Sequence, residues 1–329
     1  MAETVALVLG SGGARGLAHI GIIEEIEARG YEIISVSGCS MGAVIGGFYC
    51  AKKLDLFYQW GKSLSYIDLL RLVDFSFISN GAIRGDKVFS LLAEMLEDVQ
   101  IEDLDIPFTA VTTDLVHSKE VWFQRGPLEQ AMRASAAIPG LFQPVELDGR
   151  LFVDGGVLNP LPIAPTVSAH ADHIIAIDLN ADVPMPVMED IAQDVSLKAD
   201  TGETDDKSDW LNSIVNKTSQ WFSNDDELAA GLTSEETDAV IKEKAKATVS
   251  NLGKLEILYQ MFEVMQASLS QYKIAGYPPD LLIRVPQSAG DTYEFHRIEE
   301  LVELGRHIGK QALDAFEQGH SSLYGQRLG

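Results

Sequence analysis

The chain has 329 residues, 46% of them hydrophobic, which is enough for one large domain or two smaller ones around a sizeable core. Its 25 Lys and Arg against 49 Asp and Glu give a formal charge of −24. That speaks against nucleic acid, which needs clustered cations to neutralise phosphates, and against strong adsorption on anionic lipid, while neutral and zwitterionic substrates stay open.

The opening Met-Ala-Glu-Thr has no basic n-region, so no secretory signal peptide is expected there. Thr4–Leu9 reads as a buried strand, Gly10-Ser11-Gly12-Gly13-Ala14-Arg15-Gly16 as a loop, and the residues through Ile20, Ile23 and Ile26 as a helix. A glycine loop between strand and helix is an anion cradle, because its backbone N–H groups point outward. A dinucleotide fingerprint fails on spacing, since Arg15 stands at its third glycine and no acidic residue closes the second strand. A phosphate loop fails as well, with Leu17-Ala18 where Lys-Ser/Thr is required. The loop therefore suits an oxyanion better than a nucleotide phosphate.

Next, Ile33–Ser37 reads as a strand, Met41–Ala51 as a buried helix, and Gly38-Cys39-Ser40-Met41-Gly42 as the sharp turn between them. A serine held there offers its hydroxyl at a helix N-terminus, where the macrodipole favours developing negative charge. Taken alone, the pattern equally fits a glycine-rich turn whose serine only caps the helix. Phe108–Val111 and Ile174–Leu179 read as further buried strands. Between them Leu151-Phe152-Val153 delivers Asp154 into the turn Gly155-Gly156, soon followed by Pro160 and Pro162. Strands alternating with helices predict an α/β chain with a mostly parallel sheet covered on both faces.

From Glu189 to about Glu243 the chain is strongly acidic and reads as an insert. Inside it, Leu211, Ile214, Val215, Thr218, Trp221 and Phe222 would form one stripe on a helix, which suits a surface or interface helix more than a lid over the site. Leu252–Ala275 reads as another amphipathic helix, Leu281–Val285 as a strand, and Ile298–Phe316 as a last helix docked on the sheet. The expected division is a core over 1–183, an acidic insert over 184–253, and a segment 254–329 that completes the core domain. Cys39 and Cys50 are too few and too placed to suggest a disulfide, so a reducing, cytoplasmic setting is expected. No apolar run is long enough to span a bilayer, and no cluster has metal-ligand spacing, so no metal or cofactor is expected.

The serine elbow, the upstream loop with its Arg and the downstream Asp-Gly-Gly together resemble the bacterial patatin-like phospholipases. Thr112-Thr113-Asp114-Leu115 and the block Gln130–Val145 extend the resemblance, which runs from residue 4 to about 182 and resumes at 279–285 and 295–297. It implies a three-layer α/β/α fold and a Ser40–Asp154 dyad without a histidine, forming an acyl-enzyme on lipid carboxylic esters. It also implies an oxyanion hole of Gly12 and Gly13, with Arg15 adding charge or ordering the loop. The expected partners are a lipid or small ester, with transient membrane or micelle contact and a homodimer left open. Cys39 stands where the family often has Thr, a small departure. Two alternatives remain: a Ser-Asp-His triad using His296, whose late position suits that chain order, and a regulatory protein with a vestigial site.

Overall fold

The computed structural model describes residues 2–64, 86–186 and 257–319. Its sheet comprises β1 (Thr4–Leu9), β2 (Glu32–Cys39), β3 (Phe108–Asp114), β4 (Lys119–Phe123), β5 (Val145–Leu147), β6 (Arg150–Asp154), β7 (His173–Ala181) and β8 (Leu281–Pro286). The order is β5-β6-β3-β2-β1-β7-β8, with β4 on the free edge of β3. Strands β1, β2, β3, β7 and β8 run parallel, and β4, β5 and β6 supply antiparallel pairs.

The parallel strands are apolar runs because both faces are covered. Val5 to Leu9 are all fully buried. One face carries α1 (Ala18–Ala28), α2 (Met41–Cys50), α3 (Leu54–Ser63), α4 (Asp86–Leu96), α5 (Leu128–Ser135) and the last helix, Ile298–Glu317, here α7. Leu7, Ile22, Ile45, Phe48, Ile177 and Leu301 belong to the single large core between them and the sheet. A smaller cluster of Val8, Leu161, Ile163 and Ala176 lies apart from it, with Ile274 of α6 (257–276) packed against it. The mixed, mostly parallel sheet with flanking helices is a three-layer α/β/α architecture.

The expected strands and the last helix occur within one or two residues of their predicted limits, except β3, which runs on from Val111 to Asp114. The short strands β4 and β5 were not expected: β4 alternates weakly, and β5 has three residues. Nearly all of the acidic insert, including the 210–222 stripe, lies outside the described residues. Among the described residues no helix is long and apolar enough to cross a membrane.

Candidate active site

One edge of β3 brings the two predicted residues together. On that edge β2 pairs as far as Cys39 opposite Val111, and β6 takes over with Asp154 opposite Thr112. Strand β4 fills the other edge, pairing Trp122 with Val111 and Val121 with Thr112. Because β2 is parallel to β3 and β6 antiparallel, their carboxyl ends meet head to head. Ser40 and Asp154, far apart in sequence, leave those two ends.

Ser40 is the residue between β2 and α2 and has φ 56° and ψ −125°. A non-glycine residue with positive φ is strained and persists only where its surroundings impose it. Here they do. The Ser40 N–H donates to Ser135 Oγ at 3.0 Å, and that hydroxyl donates to the Val111 carbonyl at 2.6 Å. The Ser40 carbonyl accepts from Ala43 and Val44 N–H, which starts α2. The flanking glycines allow the turn to be this tight: a Cβ on Gly38 would stand 2.3 Å from the Gly42 carbonyl oxygen, and one on Gly42 would stand 2.2 Å from that of Leu9. Gly42→Ala is therefore expected to push α2 off the sheet and destabilise the fold by about 3 kcal/mol. Urea unfolding measures it, and wild-type stability would contradict it.

Asp154 is fully buried at the end of β6. Its N–H donates to the Ala137 carbonyl at 2.9 Å, and its Oδ1 accepts from Gly156 N–H at 2.7 Å. Burial pushes its pKa up to about 7, against the pull of the Ser40 hydroxyl and the Gly156 amide, which favour the anion. Oδ2 is buried without a partner of full hydrogen-bond geometry. The Ser40 hydroxyl thus neighbours the carboxylate closely enough to stabilise it but does not close an ideal bond, a common state of such pairs without substrate.

The Gly10–Gly16 loop lies beside this pair, and Gly13 and Ser40 line the same cavity. Gly10, Ser11 and Ala14 use their N–H groups on the carbonyls of Ile177, Pro160 and Thr292. Among the described residues, the N–H groups of Gly12 and Gly13 donate no such bond. Arg15 is buried and turned into the protein. It donates to the carbonyls of Gln287 and Gly290, to Asn180 Oδ1 at 3.2 Å, and to Glu263 Oε1 at 2.9 Å. Asn180 in turn donates to the Ser11 carbonyl. These are contacts of a side chain that anchors the loop to β7, to the segment after β8 and to α6. Arg15→Leu would leave Glu263 and three acceptors without this partner, and is expected to destabilise by about 3 kcal/mol. Differential scanning calorimetry should record a lower Tm; an unchanged Tm would contradict the anchoring role.

An apolar cavity of about 110 Å³ opens at Ser40. Leu17, Val44, Phe57, Trp60, Phe89 and Phe142 are among its walls, and among the described residues that line it Ser40 alone carries a hydroxyl. Such a space accepts a hydrocarbon chain and offers almost nothing to a polar group.

His296 does not join this site. It is exposed on a 3-10 turn, Phe295–Arg297, and feels the carboxylates of Glu294 and Glu300. Among the described residues no imidazole partners Asp154. His19 is buried against the Gly10 carbonyl at 2.9 Å, and burial lowers its pKa to about 4, so it stays neutral inside the core. Among the described residues no three His, Cys, Asp or Glu side chains are grouped to hold a metal ion.

Three contributors escaped the sequence reading. Ser135 lies inside the Gln130–Val145 block, but nothing in that block marks its hydroxyl as the support of the elbow. Glu263 and Thr292 brace the glycine loop from segments 248 or more residues downstream, a distance no local pattern spans. Cys39 is also nearer than its position suggested, with Sγ 4.0 Å from Asp154 Oδ1.

The fold and this geometry define an α/β protein with a serine elbow and a buried acid at the carboxyl ends of its sheet. The family profile described as patatin-like phospholipase matches residues 7–167. An uncharacterized NTE family protein of Mycobacterium tuberculosis is 40% identical over 345 aligned positions, covering 95% of this chain and 92% of that protein. The human patatin-like phospholipase domain-containing protein 6 is 27% identical over 97% of this chain, which spans 21% of that longer protein. A lysophospholipase of Cryptococcus neoformans is 32% identical over 54% of this chain and 11% of its own length. This chain belongs to the patatin-like phospholipase family.

Proposed function

We propose that this protein is a hydrolase of lipid carboxylic esters working through Ser40 and Asp154. Family membership supports the lipid ester as substrate class, and so do relatives named as phospholipase-domain protein and lysophospholipase. The observation that carries the reading is the convergence of Ser40, the buried Asp154 and an apolar cavity open at the serine.

The chemistry follows from the residues. As Ser40 Oγ bonds to the ester carbonyl carbon, its proton passes to Asp154 Oδ2, the oxygen left without a full partner. The carbonyl oxygen becomes an oxyanion facing the N–H groups of Gly12 and Gly13, which no backbone acceptor occupies. Collapse of the tetrahedral species breaks the bond to the leaving alkoxide, which takes the proton back from Asp154. Water then adds to the acyl-enzyme with Asp154 again as base, and Ser40 leaves with the proton. A carboxylate near its ordinary pKa is a feeble base, and burial raises this one towards 7, where proton exchange with an alcohol is less uphill. Arg15 serves here as a positioning residue that holds the donor loop.

The triad alternative finds no support among the described residues, where no imidazole partners Asp154. The test is release of free fatty acid from lysophosphatidylcholine by the purified protein, with His296→Ala alongside. Release at equal rates by wild type and H296A agrees with the dyad. No hydrolysis of any lipid ester, or loss of it in H296A alone, would overturn the proposal.

A further inference from the structure

Helix α6 is built inside out. Among its described residues the two charged side chains both turn towards the protein: Glu263 to Arg15 at 2.9 Å, and Lys273 to Glu120 at 3.1 Å. Gln266 and Ser270 are buried on the same side, with Gln266 against the Gly156 turn, and the Tyr259 hydroxyl meets that of Thr292. The face turned to solvent carries Ile257, Leu258, Met261, Val264, Met265 and Tyr272, with Val264 66% and Tyr272 75% exposed. These positions fall at helical spacing, so Ile257 to Met265 form one apolar stripe, which Tyr272 extends beyond the exposed Ser268. A soluble helix normally points such a stripe inward; a large exposed one marks an interaction surface.

We propose that this face of α6 docks on a neutral or zwitterionic lipid surface and delivers ester substrate to the cavity at Ser40; the delivery rests on the hydrolase reading. Three features choose this occupant. First, the stripe is uncharged, its only polar exposed positions being Gln260, Ser268 and Gln271, in a chain whose formal charge is −24. An uncharged face on so acidic a protein suits lipid without net charge, where anionic lipid would repel the rest of the molecule. Second, exposed Tyr272, Tyr277 and Tyr293 stand on and beside the stripe, and tyrosine rings favour the boundary between hydrocarbon and water. Third, the same helix backs the cavity wall: Tyr259 and Phe262 pack on Ile138 and Leu141, which line the cavity. Through Glu263 and Gln266 it also touches the anchor of the glycine loop and the turn after Asp154. A surface bound by α6 therefore lies next to the wall of the cavity that would take an acyl chain.

The test is co-flotation of the full chain with phosphatidylcholine vesicles, with hydrolysis of soluble p-nitrophenyl butyrate measured in parallel. Wild type should float with the vesicles, and M261E/V264E should partition about tenfold less, since two exposed apolar contacts become charges that resist the interface. Hydrolysis of the soluble ester should be unchanged, because neither side chain lines the cavity. If the double variant fails to fold, V264S alone should still weaken flotation with the soluble activity intact. Wild type that does not float, or variants that float as well as wild type, would overturn the proposal. So would a wild-type dimer that M261E/V264E dissociates without vesicle binding, which assigns the face to a second copy. Absent butyrate hydrolysis with flotation intact would count against the hydrolase reading and leave the docking face standing.

Discussion

Ser40→Ala is expected to lower kcat for lipid and p-nitrophenyl esters by roughly 10⁴- to 10⁶-fold, the range seen when a serine nucleophile is deleted. The loss is that of a covalent route, so KM should change little. Folding should survive, because the elbow is held through the backbone of residue 40, bonded to Ser135 Oγ and to Ala43 and Val44 N–H. Alanine shares the positive-φ strain that serine already bears at this position. Steady-state kinetics with a thermal melt as control make the measurement. Comparable rates in wild type and S40A would contradict the account.

Asp154→Asn is expected to cost about 10⁴-fold in kcat, because an amide of nearly the same shape cannot accept the serine proton. In the wild type, kcat/KM should rise with pH and level off above about 7, where the buried carboxylate becomes ionised. The stability effect has the opposite sign. Burial raises the folded-state pKa above the ordinary 3.8, so between about 4 and 7 the folded protein keeps a proton that the unfolded chain has released. Stability from this group is complete below about 4 and is lost as pH climbs through about 7. D154N lacks that loss and should gain on wild type by up to the order of 4 kcal/mol between pH 4 and pH 8. Urea unfolding across that range reads the difference. A rate profile flat through pH 7, or a wild type that stabilises relative to D154N as pH rises, would refute the role given to burial.

Much of this site is written locally. Apolar β-branched runs gave β1, β2, β7 and β8, because a strand buried on both faces has few other compositions. Gly38 and Gly42 announced the elbow since no side chain fits between β1, β2 and α2 there. Asp154-Gly155-Gly156 gave only a turn, and its place opposite Ser40 came from the resemblance. Its physical cause is the sharing of one β3 edge by β2 and β6, a register set by long-range pairing. The part of Arg15 was legible only as an alternative, since its acceptors at Asn180, Glu263, Gln287 and Gly290 come from other elements. Helix α6 was legible as a helix but not in its orientation. Leu258 and Met265 have core-like spacing, and only the inward ion pairs of Glu263 and Lys273 turn them outward.

The most direct measurement is mass spectrometry of the protein after reaction with a fluorophosphonate, which traps an activated serine as a covalent adduct. The account predicts one adduct, on the peptide carrying Ser40, formed faster at pH 8 than at pH 5 and absent from S40A. An adduct on another residue of an active preparation, or equal labelling of D154N and wild type, would contradict it.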